Sequence, residues 1–233
     1  MKRILLASSA LAVLAGAQQA QAASDMYVSV FGGANFLQDE SQVFNTGSSS
    51  FSSDPDTGFV IGGAIGTHLD NWAKGLRVEL AANYRRNDVG GVWTTSTGST
   101  GGFFDANMST FAIMANAWYD IDIGSKVRPY VGGGVGWARN SAEIVRIRTF
   151  DSTTTGLNTV VSSNSFDKSG FAWQLGLGIN YEVAADVDVG IGYRYFVGPR
   201  AGDGGEGFVS FNSDSRHDNE NHAVQVNLTV GIN

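Results

Sequence analysis

The chain has 233 residues, 31 of them glycine and none cysteine, and its 15 basic and 22 acidic residues leave a formal charge of −7. Without cysteine there is no disulfide scaffold, no thiolate metal site and no lipid-modified N-terminal cysteine. The acidic balance disfavours nucleic acid as a partner, and glycines among Ser/Thr/Asn clusters point to strands and loops rather than helices.

Residues 1–22 are predicted to be a cleaved export signal. Lys2 and Arg3 form a basic end, residues 4–17 an apolar stretch too short to span a bilayer, and Ala20-Gln21-Ala22 a small-x-small site that places cleavage between Ala22 and Ala23. No later run reaches the roughly 18 apolar residues that a membrane helix needs. Removing 22 residues leaves 211, predicted as one domain over 23–233; loss of Lys2 and Arg3 takes the charge from −7 to −9.

Eight strands of alternating hydrophobicity follow. The first, 26–36, alternates Val28, Val30, Ala34 and Phe36 with Tyr27, Ser29, Phe31, Gly33 and Asn35. A polar stretch, 37–56, carries Asp39, Glu40, Asp54 and Asp56; the second strand, 58–68, sets Phe59, Ile61 and Ile65 against Gly62, Ala64 and Gly66. In the third, Leu76, Val78, Leu80, Ala82 and Tyr84 alternate with Arg77, Glu79, Ala81, Asn83 and Arg85. Residues 87–108, rich in Gly, Ser and Thr, are predicted to be a long loop. The fourth strand, 109–121, puts Phe111, Ile113, Ala115, Ala117 and Tyr119 on one face, and the fifth runs from 127 to about 140 with Pro129 at its start.

A third long connection reaches Asp167. Residues 171–196 then form a hairpin turning near 183–186: Trp173, Leu175, Leu177, Ile179 and Tyr181 continue into Val189, Ile191 and Tyr193 as one greasy face. Trp173 and Tyr181 lie eight residues apart, as do Phe111 and Tyr119. In tilted strands that spacing spans roughly 20 Å along a membrane normal, close to the height of an outer-membrane apolar band. A last connection, 198–221, holds Asp203, Glu206, Asp214, Asp218 and Glu220, and the eighth strand, 223–232, alternates Val224, Val226, Leu228, Val230 and Ile232 with polar residues. Connections alternate between long and short, which predicts an all-β fold: an eight-stranded antiparallel transmembrane up-and-down β-barrel with both termini on the periplasmic side.

The small or polar parity carries Arg77, Glu79, Arg85, Asp120, Arg128, Glu182, Asp188 and Arg194. An eight-stranded barrel is just wide enough for side chains to fill it, so these ions are expected to pair in the lumen, with glycines making room for long side chains. His68, His217 and His222 lack metal or catalytic spacing, and Asp203-Gly204-Gly205-Glu206 lacks the ligand rhythm of a calcium loop. They read as solvated loop residues, and no cofactor or metal is expected. Arg146 and Arg148, in IVRIR, read as part of a hairpin above the barrel whose guanidiniums suit lipopolysaccharide phosphates.

Two segments, RPYVGGGVGWA at 128–138 and FAWQLGLGINY followed by GIGYRYF within 171–196, resemble the small outer-membrane β-barrel proteins of alphaproteobacteria that include the opacity-type proteins and the P44/Msp surface antigens. The resemblance implies surface exposure, a structural or adhesive role and assembly by the outer-membrane insertion machinery. Members usually end in an aromatic residue, whereas this sequence ends Val230-Gly231-Ile232-Asn233, so slow insertion that improves on Asn233→Phe is expected.

The function expected is therefore a non-enzymatic barrel in the cell outer membrane, set among outer-membrane lipid and lipopolysaccharide. Its loops would present a surface to a host or cell ligand. A narrow porin-like channel would require an unblocked lumen, and a lipid A-modifying enzyme a catalytic set on the lipid face or rim that the strands do not supply. A soluble ligand-binding barrel would require the opposite assignment of faces.

Overall fold

The computed structural model describes residues 26–38, 49–95, 100–151, 154–160, 164–199 and 219–232, all strands and their links. The strands are β1 (Met26–Leu37), β2 (Ser49–Pro55), β3 (Gly58–His68), β4 (Leu76–Thr95), β5 (Thr100–Asp120), β6 (Val127–Asp151), β7 (Thr154–Val160), β8 (Asn164–Ala184), β9 (Val187–Gly198) and β10 (Asn219–Ile232). Every pairing is antiparallel, the order around the sheet follows the chain with β2 and β7 set aside, and β1 closes the ring on β10 from Met26↔Ile232 to Leu37↔Asn221. The ring therefore has eight members, β1, β3, β4, β5, β6, β8, β9 and β10. β2 continues the column of β3 along β4, pairing with Val89 to Thr95, and β7 continues the column of β8 along β6. The signal residues Ala22 and Ala23, the acids Asp203, Glu206, Asp214 and Asp218, and the terminal Asn233 lie outside the described residues.

Strand length is where the sequence reading needs correction. Residues 87–95 and 100–108 are the upper halves of β4 and β5, paired from Asn87↔Met108 to Thr94↔Gly101, and residues 140–151 extend β6. A span needs about 9–11 tilted residues; β4, β5, β6 and β8 have 20, 21, 25 and 21, whereas β1, β3 and β9 have 12, 11 and 12. One side of the barrel therefore rises as a wall. Its extra length lacks a greasy alternation because a segment projecting from the apolar band is wet on both faces, and the cross-strand ladder alone satisfies its backbone.

The parity rule fixes what faces where. Ile61, Leu80, Ile113, Leu177, Ile191 and Val226 are exposed on the outside, while Tyr27, Ala112, Met114, Trp118 and Phe196 are buried in the lumen with Arg85, Asn116 and Gln174. Ile191 is 54% exposed and Arg85 2%. A barrel in water has the reverse arrangement, because exposing a continuous apolar surface costs roughly 25 cal/mol for each Å². The soluble-barrel alternative falls on this inversion. Tyr84 is paired with Phe111 and Trp137 with Phe171, and with Phe59 one step from Tyr84 and Phe111 one step from Trp137 these rings form the upper aromatic belt, with Tyr119 and Tyr181 eight and ten residues below Phe111 and Phe171.

The three connections at the lower end are tight. β8 and β9 are joined by Ala185 and Asp186; Asp186 has φ 61°, a left-handed conformation that aspartate tolerates better than most residues. At residues 69–75, Gly75 (φ 84°) donates its N–H to Asp70 Oδ1 at 2.7 Å, and a Cβ there would lie 2.3 Å from the Asp120 carbonyl oxygen. Only glycine fits that approach.

Candidate functional site in the barrel lumen

Inward positions near the lower end form the first closure. β4 delivers Arg77 and Glu79, β5 delivers Trp118 and Asp120, β1 delivers Tyr27 and β6 delivers Tyr130, all on the parity that faces the axis. Arg77 Nε donates to both Asp120 oxygens, at 2.9 and 3.1 Å, and its Nη1 donates to the Tyr27 hydroxyl at 3.2 Å. That hydroxyl donates to Glu79 Oε2 at 3.0 Å, while Asn116 Nδ2 donates to Glu79 Oε1 at 3.0 Å and Gln174 Nε2 to Asn116 Oδ1 at 2.6 Å. The Arg77 guanidinium also lies 5.1 Å from the Tyr130 ring, which packs edge-on against Trp118 at 5.8 Å. Gly178 and Gly192 give Tyr130 its room: a Cβ at either would come within 2.5 Å of the hydroxyl oxygen.

The eight predicted network ions do not act as one set. Arg77, Glu79 and Asp120 are brought together, and Arg128 pairs separately with Asp188 at 2.5 Å on the half-exposed lower rim. Glu182 stands opposite Asp188 across the β8–β9 ladder, and among the described residues it makes no ion pair. For Arg85 and Arg194, pairing with acid is corrected: among the described residues neither has a carboxylate within ion-pair distance. Each lies instead over an aromatic ring, Arg85 3.8 Å from the centroid of Phe196 and Arg194 3.8 Å from that of Trp118. Lumen aromatics offer these guanidiniums a π face. Gly176 makes the space for Arg194, since a Cβ there would fall 2.4 Å from its Nη1.

A second closure, higher up, is built of amides. Asn35 Nδ2 donates to Asn87 Oδ1 at 2.6 Å and to Asn221 Oδ1 at 2.7 Å; Asn221 Nδ2 donates to Asn219 Oδ1 at 2.7 Å; Asn219 Nδ2 donates to Thr110 Oγ1 at 2.9 Å; and Thr110 Oγ1 donates to Asn140 Oδ1 at 3.2 Å. This chain crosses the bore from β4 through β1 and β10 to β5 and β6, and all of its members are buried. The sequence reading misses it because its third strand ends at Arg85 and its eighth begins at Ala223, which leaves Asn87, Asn219 and Asn221 in predicted loops. The signal was present: Asn35, Asn87 and Asn140 each keep the inward parity of their strand. Between the two closures lies a polar chamber of about 30 Å³, lined among others by Asn83, Arg85, Asn116, Gln174, Arg194 and Gln225.

Of the remaining described candidates, His68 has the inward parity at the lower end of β3 and the others lie outside the lumen. His222 is a strand residue, not a loop one: it sits on the outer face of β10, its Nδ1 2.5 Å from the Tyr193 hydroxyl and its ring 5.1 Å from that of Tyr195. His68 closes β3 with its ring 5.2 Å from Tyr27, and His217 lies outside the described residues. Arg148 is held 3.7 Å from Asp105 on the wall; of Arg146 the strand position in β6 is described and its side chain is not. Above the upper belt, Asp167 accepts from Arg139 Nη2 at 2.7 Å and from the Ser141 hydroxyl; first the hydroxyl and then the guanidinium hold its carboxyl below the usual carboxylate range. At the lower turns, Lys74 and Asp122 meet at 2.8 Å, which raises the lysine and, with the Gly124 N–H, lowers the aspartate.

An up-and-down ring of eight strands with apolar residues outside and polar ones within defines a transmembrane β-barrel. The model of the outer membrane protein beta-barrel domain matches residues 4–231, and the chain belongs to that family. A protein named Outer membrane protein from Gluconacetobacter diazotrophicus is 28% identical over 197 residues, 78% of this chain and 48% of the relative, so the chain spans about half the length of that curated relative. Among solved structures, Neisserial surface protein A is similar at 18% identity (89% of this chain, 97% of that one, TM-score 0.47), and OprG of Pseudomonas aeruginosa at 15% (89% and 94%, TM-score 0.43). The protein is thus an outer-membrane protein, and the greasy outer face of the ring meets lipid.

Proposed function

We propose that the protein is a non-enzymatic surface protein of the opacity-type and P44/Msp kind, in which a closed barrel holds up a wall of strands and loops for contact with lipopolysaccharide or another cell. The observation that carries the reading is the pairing of a lumen closed at two levels with strands about twice the length of a span. Length beyond the bilayer adds nothing to anchoring. It adds outward surface.

The lipopolysaccharide contact belongs at the base of that wall. Arg86 and Arg139 leave the outer face one step above Tyr84 and Trp137, flanking Ser109 and Phe111 on the strand between them. Each is half-exposed and held by an aspartate, Arg86 by Asp88 at 3.8 Å and Arg139 by Asp167 at 2.7 Å. This is the height at which lipid phosphates meet a barrel, and a guanidinium can share a carboxylate while offering its outer edge to a phosphate. Arg146 and Arg148 stand higher on the wall.

Partner capture on intact cells tests the reading. Full-length protein should retain vesicles containing lipopolysaccharide, and a variant with Arg86→Gln and Arg139→Gln should retain several-fold less while still folding as a heat-modifiable barrel. Release of acyl chains or phosphate from lipid A by purified protein would sink the non-enzymatic reading, and unchanged retention by the variant would sink the placement of the contact.

A further inference from the structure

The chamber between the two closures presents a charge problem that the described residues do not solve. Arg77, Arg85 and Arg194 face it or its floor, and among the described residues the carboxylates bonded into the same cluster are Glu79 and Asp120. Both acids are committed to Arg77 and its partners, Glu79 through Tyr27 and Asn116 and Asp120 through the two bonds from Arg77. Three guanidiniums against two carboxylates leave one positive charge in excess. Arg128 and Asp188 balance each other at the rim and do not alter the count.

The donors that remain point to where that charge sits. Arg85 is 2% exposed, and its Nε and Nη1 find no hydrogen-bond partner among the described residues; the same holds for Nη1 of Arg194. The rings of Phe196 and Trp118 cover one face of each guanidinium but accept none of the in-plane N–H bonds. An arginine keeps its proton even when buried, so the charge cannot be removed by titration near neutral pH. A buried cation needs an opposite charge and an acceptor for each N–H. The neutral wall around them adds further donors, the amides of Asn83, Gln174 and Gln225.

We propose that this chamber is a binding site for one monovalent anion of halide size, held by Arg85 and Arg194. The volume sets the class: a space of about 30 Å³ admits a halide with a water or two, since one water-sized sphere needs roughly 10–15 Å³. The single excess charge sets the valence. The ion sits inside the bore below the asparagine layer and binds the folded barrel. The site stabilises the folded barrel and is no conduction path.

The test refolds the full protein into detergent micelles in sodium chloride, sodium bromide or sodium gluconate at equal ionic strength. Expected are a thermal midpoint several degrees higher in either halide than in gluconate, and an anomalous bromide peak within about 3.5 Å of guanidinium nitrogens of Arg85 and Arg194 in crystals grown from bromide. Asn83→Asp supplies a fixed carboxylate on the buried chamber wall in place of an amide whose Oδ1 finds no donor among the described residues; this variant should lose the halide dependence and match the wild type in halide. Arg85→Gln should also lose it. Equal midpoints in halide and gluconate, or bromide crystals with water alone in the chamber, would overturn the proposal. So would halide dependence that persists in Asn83→Asp.

Discussion

Arg77 Nε lies 2.9 and 3.1 Å from the two oxygens of Asp120, and both side chains are about nine-tenths buried in the lower lumen, on strands whose register sets Arg77 opposite Trp118, two residues before Asp120. Removing one partner of such a pair strands a charge in a poorly solvated bore. Arg77→Ala or Asp120→Ala should therefore destabilise the barrel by about 3–5 kcal/mol, and the double variant with both replaced by leucine should lose less than either single variant. Urea unfolding in lipid vesicles, followed by the heat-modifiable gel shift, measures both. A loss in the double variant equal to the sum of the two single losses would mean that the pair is not coupled.

The assignment of faces yields a contrast between neighbours. Ile191 faces lipid, and replacing it with Arg near mid-membrane should cost roughly 2–4 kcal/mol. Gly190 faces inward, where even a Cβ would meet Asn180 Oδ1 at 2.2 Å and the Ile179 carbonyl oxygen at 2.9 Å, so Gly190→Arg acts by crowding. Returning the bilayer to a thinner lipid should relieve the first variant and leave the second unchanged. Spin labels at 189 and 191 should report oxygen in lipid rather than water-soluble relaxant.

What was legible in the sequence follows from this same parity. Alternation identifies the eight ring strands and puts Leu175, Leu177 and Ile179 on one face, and the aromatic spacing along the strands points that face to lipid. It failed wherever both faces are wet. Residues 87–95, 100–108 and 140–151 are paired strands without a greasy alternation, and Asn87 of the asparagine layer is hidden among them. The fate of the lumen ions was harder still. Parity puts Arg85 inside, but whether it meets an acid or Phe196 depends on strand tilt and register, which bring β4 and β9 together across the bore and which no single strand encodes.

Above the belt, the contacts of Asp167 make the wall sensitive to acid. Its folded pKa is lowered, by Ser141 first and Arg139 second, so the stabilisation is fully present above the unfolded value, about 3.9, and is lost as pH falls through the lower folded value. Hydrogen exchange of the upper β6–β8 ladder, from Arg139↔Ser169 to Glu143↔Ser165, should quicken in that window while the lower ladder stays protected. Asp167→Asn should show the fast exchange at neutral pH. An unchanged ladder in that variant would assign the acid response to another group.

The last prediction is that the folded monomer conducts ions poorly, and it rests on two closures in series. Below, Arg77, Asp120, Tyr27 and Tyr130 fill the bore; above, Asn35 joins Asn87 to Asn221 across it. The lumen glycines do not open a tube between them, because Gly132, Gly134 and Gly136 lie against Trp118, Asn116 and Met114, and Gly178 and Gly192 against Tyr130. Resistances in series add, so widening either closure alone leaves the other in control. Asn35→Ala with Asn221→Ala should leave planar-bilayer currents near those of the wild type, as should Tyr130→Ala alone. The combined triple variant should give steps several-fold larger, provided that its gel shift shows a folded barrel. Steady, large, ohmic steps from wild-type monomer would establish the narrow-channel reading instead, and a large conductance from either single-level variant would show that only one closure blocks the bore.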